Sequence, residues 1–369
     1  MKENKNVVIV AWRDMWHPQK GGAEIYITKI AEKLRDSGYD VIFFTERYRN
    51  SKEDEIIDNI RYIRRGNALT LHLEFPKYFK KYLKENTDIL IENFNAVPFY
   101  VPKLHDNTLT VIHHIQDLEW NKKFGKIIGT LLAKFFRNEV KRVYKEQKIV
   151  TVSPSSLEEL LSIGFKKENI EVIYNGIDVP ISSNIHKPTN KINIFSVGRV
   201  RNTKNIDEAI EMVKHSVKDI GIKNIRLDIA GKGDDEERLK ALVKKYNLEE
   251  YVTFLGYIDD GKKVRLFKDA HLHVQFSRKE GWGITIIEAA ATATPTICYR
   301  VPGLEDSVKS STGYFVETTL QETWDKAVED IQQQNEEYKS KQRECIKWAD
   351  NFRWDNQMDR FLKYLESKN

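Results

Sequence analysis

Apolar and polar positions along the chain alternate between a strand period and a helix period, in the order expected of an α/β protein. Residues 7–12 form a nearly continuous apolar run, the pattern of a strand buried on both faces of a parallel sheet. An amphipathic helix follows, with Ile27, Ile30, Ala31 and Leu34 on one side and Ser37-Gly38 at its end. Further strands are predicted at 41–45, 60–63, 89–91, 109–112, 149–152 and 172–174. Residues 178–191 interrupt the series with two prolines, polar residues and little periodicity, as in a linker. The alternation then restarts, with strands at 192–197, 225–230, 252–255, 272–276, 296–299 and 314–316. Two doubly wound Rossmann-like domains facing each other across a cleft are therefore expected, since open α/β sheets bind ligands at the C-terminal ends of their strands. The expected boundaries are 1–178, a linker at 179–191, 192–347, and a terminal helix over 348–369 with Trp354-Asp355 inside it.

Composition agrees with this division. A chain of 369 residues exceeds a typical single core, and 40% hydrophobic with 11% aromatic residues is a globular composition. The net charge of +5 suits a phosphate-bearing ligand or an anionic membrane surface without singling out either. No aromatic-basic RNA motif or helix-turn-helix signal is visible, so nucleic acid is not an expected partner. Cys298 and Cys345 form neither a metal-ligand spacing nor a disulfide framework, which fits a reducing cytosol. The N-terminal residues do not read as a signal peptide and no apolar run is long enough to span a bilayer. The expected location is cytoplasmic, or the inner face of the cytoplasmic membrane. Residues 122–147 bear on the second option: Phe124, Ile127, Ile128, Leu131, Leu132, Phe135 and Phe136 form an apolar stripe among many Lys and Arg. Packing on the first sheet and a membrane-facing surface are both open for it.

The stretch 271–288 concentrates the candidate chemistry. A strand pattern (Leu272, Val274, Phe276) meets Glu280-Gly281-Trp282-Gly283, where paired glycines mark a tight turn, and a buried Ala-rich helix begins at Ile284. Glu288 lies about one turn into that helix, and helical side chains lean back toward the N-terminus. Two carboxylates, Glu280 and Glu288, thus bracket a helix start whose free N–H groups suit a phosphate. Gly21-Gly22 stands in the same way before the first helix. At 195–205 a strand ending in Gly198 leads to Arg199 and Lys204, a guanidinium and an ammonium suited to a departing diphosphate. His113, His114 and Asp117 follow the strand at 109–112, where an imidazole can bond a sugar hydroxyl.

Glu280-Gly-Trp-Gly-Ile-Thr-Ile-Ile-Glu288-Ala resembles the E-x7-E signature of the family 4 glycosyltransferases, retaining enzymes of GT-B fold. Gly21-Gly-Ala-Glu with Ser37-Gly-Tyr-Asp-Val, Val197-Gly-Arg-Val with Lys204, Val172-Ile-Tyr-Asn-Gly-Ile-Asp, Ile229-Ala-Gly-Lys-Gly and Pro302-Gly303 resemble further family motifs in the family's order. One departure is Ala293 before Thr294-Pro295, where a glycine is usual.

The resemblance implies transfer of a sugar from a nucleotide diphosphate sugar to a glycan or lipid-linked acceptor, with no metal or cofactor. It implies donor binding by Gly22, Arg199, Lys204, Glu280, Gly281, Trp282, Gly283, Ile284 and Glu288, with Glu280 on the sugar and Glu288 on the ribose. Catalysis is expected of His113, Glu280, Arg199 and Lys204. Acceptor and sugar contacts are expected of Asp14, Gly21, His113, His114 and Asp117. It further implies that the last helix crosses back to the first domain. The alternatives are a relative acting on the nucleotide sugar alone, such as a 2-epimerase, and a non-catalytic anion-binding protein.

Overall fold

The computed structural model describes residues 4–95, 97–113, 125–188 and 190–367. The chain forms two compact units, Met1–Gly176 with Trp354–Asn369, and Ile177–Arg353.

The first unit runs β1 (Asn6–Ala11), α1 (Gly22–Asp36), β2 (Asp40–Thr45), β3 (Asp54–Ile57), β4 (Ile60–Arg64), α2 (Leu71–Tyr78), β5 (Ile89–Phe94), β6 (Thr108–Ile112), α3 (Lys126–Tyr144), β7 (Lys148–Thr151), α4 (Pro154–Ile163) and β8 (Ile170–Val172). Its sheet has the order β3-β4-β2-β1-β5-β6-β7-β8. Every pairing is parallel except β3 with β4. Val8, Val10, Phe44, Leu90, Phe94 and Ile112 belong to one buried core with Leu71 and Phe75 of α2. Each such side chain stabilises the fold by about 1.5–3 kcal/mol relative to exposure. The strand β3 is absent from the sequence-based expectation. Asp54 and Glu55 mask its β pattern, and pairing with β4 together with the Asp54–Arg61 ion pair (2.6 Å) holds it in place.

The second unit runs β9 (Ile192–Val197), α5 (Ile206–Lys214), β10 (Ile225–Ala230), α6 (Glu236–Lys245), β11 (Val252–Gly256), α7 (Asp260–Asp269), β12 (Leu272–Gln275), α8 (Ile284–Ala291), β13 (Thr296–Tyr299), α9 (Leu304–Ser307), β14 (Gly313–Val316), α10 (Leu320–Gln333) and α11 (Glu336–Ala349). Its sheet is wholly parallel, in the order β11-β10-β9-β12-β13-β14. Both faces are covered: Ile192, Ile194, Leu227 and Leu272 pack with Trp324 on one, while Phe195 packs with Phe267 and Ala289 on the other. This two-sided burial is why the strands read as unbroken apolar runs. The strand order reverses between β9 and β12, the place where doubly wound sheets open a ligand crevice.

Two segments differ from expectation. Residues 179–191, read as a linker, belong to the second unit. There Lys187 is buried and its ammonium donates to Phe267 O (3.2 Å), Thr292 O (2.9 Å) and Thr294 Oγ1 (2.8 Å). Ser182 N–H donates to Ala291 O (2.9 Å). The expected single helix over 348–369 is divided: α11 ends at Ala349, and α12 (Trp354–Glu366) begins where the expectation placed Trp354 internally. Between them Phe352 O accepts from Ile177 N–H (2.9 Å), and Ile177 pairs with Arg353 as a β-bridge. Helix α12 is part of the first unit, where Arg360 donates to Val172 O (2.9 Å) and Tyr364 Oη to Asn169 O (2.7 Å). Ala293 takes a positive φ of 59°, which explains physically why a glycine suits that turn.

Candidate functional site

The loops after β9 and β12 flank the switch point of the second sheet, and they carry the charges singled out from the sequence. Lys204 Nζ, in the short turn Asn202–Lys204 after β9, is ion-paired to Glu280 Oε1 in the loop after β12. Gln275 Nε2, at the end of β12, donates to the same oxygen (2.8 Å). The cation and the carboxylate are partly buried, 28% and 18% exposed at the side chain, so water still reaches the pair. Arg199 is exposed, and no hydrogen bond or ion pair ties it to another described residue.

Glycines let these loops lie so close. A Cβ on Gly231 would meet Gly198 O at 1.7 Å and one on Gly233 would meet Val200 O at 1.9 Å. The Ala-Gly-Lys-Gly turn after β10 therefore supports the 198–200 loop directly, with Gly198 N–H donating to Ala230 O (3.0 Å) and Val200 N–H to Lys232 O (3.0 Å). Gly303 does the same for the acidic loop: its φ is +82° and a Cβ would meet Glu280 O at 2.2 Å. A side chain at either place would push the charged loops out of position.

Gly283, with φ +93°, caps the N-terminus of α8. Trp282 is buried, its ring 5.1 Å from that of Phe352; it anchors the turn from within. Gly281 and Ile284 are half-buried on either side. Glu288 is buried one turn into α8. Its Oε1 accepts from Lys263 Nζ of α7 (2.7 Å), and its Oε2 is buried without a hydrogen-bond partner. Burial pushes this carboxyl above the usual range while the Lys263 ammonium opposes the rise. Lys263, Gln275 and the glycines at 231, 233 and 303 all bear on this constellation; only the glycine-containing turns carried a sequence signal.

The first unit presents the other expected residues. Gly21 is the N-cap of α1, and its N–H donates to Glu24 Oε2 (2.7 Å). A carboxylate of the first turn thus already serves the helix mouth over which Gly22 stands. His113, at the end of β6, is buried. Its Nε2 lies 3.1 Å from Asn93 Oδ1 of β5, its carbonyl accepts from Ser156 Oγ (2.9 Å), and its ring meets Tyr26 edge-on at 5.5 Å. Asn93 thereby orients the imidazole, a contact that the sequence did not disclose.

Asp14 was expected among the acceptor contacts. It is fully buried, with Oδ2 accepting from Arg64 Nε (2.6 Å) and Oδ1 from Trp16 N–H (3.0 Å). Contact with an acceptor would require this pair to open, so the carboxylate as it stands shapes the 12–20 loop. His114 and Asp117 lie outside the described residues. Among the described residues no cluster of three or more His, Cys, Asp or Glu is placed to hold a metal ion.

Comparison with known proteins gives this arrangement its family. The family model described as "Glycosyltransferase Family 4" matches residues 20–180, and "Glycosyl transferases group 1" matches residues 180–350. A glycosyltransferase of Methanocaldococcus jannaschii is 25% identical over 328 residues, covering 82% of each chain. Mannosylfructose-phosphate synthase of Agrobacterium fabrum is 25% identical over 324 residues, 75% of this chain and 70% of that protein. A glycosyltransferase structure from Rickettsia africae superposes with a TM-score of 0.76 at 19% identity, covering 99% of this chain and 98% of the other. With both halves matched in order and two Rossmann-like units, each on a largely or wholly parallel sheet, the chain belongs to the family 4 glycosyltransferases of GT-B fold.

Proposed function

We propose that this glycosyltransferase retains anomeric configuration, moving a hexose from a nucleotide diphosphate sugar to a hydroxyl of a glycan or lipid-linked acceptor in cell-surface polysaccharide or glycoconjugate synthesis. The observation that carries the reading is the Lys204–Glu280 pair at the switch point, with Arg199, which has no partner among the described residues, on the same loop as Lys204. A donor diphosphate competes with Glu280 for the ammonium, and Arg199 offers a second cation. Together they neutralise the charge that develops as the sugar–phosphate bond lengthens. Glu280, released from the lysine, accepts from hydroxyls of the hexose, while the start of α8 at Gly283 offers N–H groups to phosphate. Glu288 accepts from the ribose.

In the first unit we assign His113, oriented by Asn93, to a sugar hydroxyl, and the start of α1 at Gly21-Gly22 to donor phosphate or acceptor. The acceptor oxygen attacks the face from which the diphosphate leaves, and a donor phosphate oxygen takes its proton. No step calls on a divalent metal. Peripheral contact with the inner membrane face is supported by Ile128, Leu131 and Phe135, exposed along one side of α3. No described helix is long and apolar enough to cross a membrane.

The test is a screen of UDP-, GDP-, ADP- and dTDP-sugars by mass spectrometry, following hydrolysis without acceptor and then transfer, with the anomer of the product read by NMR. Hydrolysis of one donor, transfer that keeps that donor's anomeric configuration in the product, and activity unchanged in EDTA are the expected results. An inverted product overturns the retaining assignment, and loss in EDTA with rescue by Mn²⁺ overturns the metal-independent one.

A further inference from the structure

The acidic residue of α8 is held by a lysine that no sequence motif marks. Lys263, on the first turn of α7, places Nζ 2.7 Å from Glu288 Oε1 and 3.1 Å from Asp260 Oδ1. Only one oxygen of Glu288 is used in this way; Oε2 is buried and has no hydrogen-bond partner among the described residues. An unpaired carboxylate oxygen out of water costs roughly 1–3 kcal/mol or more, so a hydroxyl donating to Oε2 would be favoured.

We propose that Lys263 is the positioning residue of the nucleotide site: it occupies Oε1 of Glu288 and so leaves Oε2 alone to face a hydroxyl of a ribose. This rests on the assignment of Glu288 to the ribose and goes beyond it by giving a second residue, on a different helix, control of that contact. Lys263 itself touches no ligand in this scheme; its effect passes through the carboxylate.

The charges around Glu288 leave this task to Lys263. Asp260 on α7 and Asp178 near the start of the unit both favour the protonated carboxyl, as does burial. On α11, which packs behind α8, Lys341 donates to Ser310 O (2.7 Å) and Cys345 to Thr312 O (3.2 Å), away from the carboxylate. On β12, His273 Nδ1 is engaged with Phe195 O (2.9 Å), and beyond α8 Glu305 of α9 pairs with Arg300 (3.3 Å). Lys263 is therefore the one ammonium among the described residues in contact with Glu288. Without it, two acids and a desolvated pocket would drive the carboxyl toward its neutral form. A neutral carboxyl is a weaker acceptor, so nucleotide affinity would fall as pH falls.

The experiment is calorimetric titration of the full chain with UDP, GDP and ADP, keeping the tightest, at about pH 8 and about pH 6. The wild type serves as reference for the nucleotide's own phosphate titration. Lys263→Met is expected to lose about tenfold more affinity between the two pH values than the wild type, and Lys263→Arg to stay within about threefold of it at both. The double variant Lys263→Met/Glu288→Gln, which removes both charges and guards against misfolding of the single variant, should show no such pH dependence and bind like Glu288→Gln alone. A loss in Lys263→Met that is equal at both pH values, or no loss, overturns the proposal, since a direct phosphate contact or a bystander would behave so. Glu288→Ala with unchanged affinity would instead overturn the ribose assignment, which keeps the two failures apart.

Discussion

The two units share a doubly wound sheet but spend their charges differently. In the first, Arg64 and Asp14 are 1% and 0% exposed, and the guanidinium is further used by Glu55 Oε1 and Lys52 O (3.2 Å). Trp16, Tyr48 and Tyr62 surround it within 5.9 Å. His17 and Arg13 converge on Glu46 at 3.3 and 3.2 Å, and burial holds His17 below the usual imidazole range. These groups fold the loops after β1 and β2 and engage one another, with Arg64 Nη2 left buried without a hydrogen-bond partner among the described residues. In the second unit the charges after β9 and β12 are more open: among the described residues Arg199 has no partner, Lys204 and Glu280 meet where water enters, and Glu288 of α8 keeps one oxygen without a hydrogen bond. The first network pairs its charges deep in the unit and away from water. The second leaves Lys204 and Glu280 where a ligand can reach them.

That contrast breaks most easily at its closed end. Asp14→Ala takes one of two carboxylate partners from the buried Arg64 cation and leaves Nε without an acceptor, and a loss of about 3–5 kcal/mol of stability is expected from urea unfolding; a loss under about 1 kcal/mol would show that the pair is not a structural fixture. At the open end the cost should fall on binding. Glu288→Ala is expected to weaken nucleotide binding by about 10–150-fold, equivalent to roughly 1.5–3 kcal/mol, with stability little changed. A fall in melting temperature with intact affinity would place Glu288 with the closed networks.

Lys187 tests an intermediate case, a buried cation whose hydrogen-bond acceptors are all neutral. Burial pushes its ammonium down to about 7. Below that pH the folded and unfolded chains both hold the proton and the desolvation penalty stands in full. Between about 7 and the ordinary lysine value near 10.4 the unfolded chain binds the extra proton, so stability rises with pH by up to about 1.4 kcal/mol per unit. Urea unfolding at about pH 7 and about pH 9 should show this gain in the wild type and not in Lys187→Met. The smallest effect expected is at Ala293, whose positive φ disfavours a Cβ. Ala293→Gly should stabilise by about 0.5–1 kcal/mol, the left-handed penalty less the added chain entropy. Destabilisation would mean that the alanine methyl's packing outweighs the strain.

Much of this architecture was legible along the chain. Apolar runs located every parallel strand within a few residues, because strands sealed on both faces have no polar register to obscure them. Glycine-containing turns pointed to the loops at 198–204 and 280–283, since close backbone approach leaves a residue-type signature. The antiparallel β3 escaped because a short, half-exposed edge strand is held by its neighbour more than by its own residues. The break between α11 and α12 escaped because it depends on pairing with Ile177, far away in sequence.

The sequence by itself determined the order of elements, the two-unit plan and the residue types at the strand ends, all set by local periodicity and backbone conformation. Tertiary structure alone decided which charges meet. Lys204 reaches Glu280 across 76 residues because β9 lies beside β12, Lys263 reaches Glu288 across 25, and Asp14 is claimed by Arg64 across 50. An ion pair depends on distance and desolvation in space, and neither quantity is written in the spacing of residues along a chain.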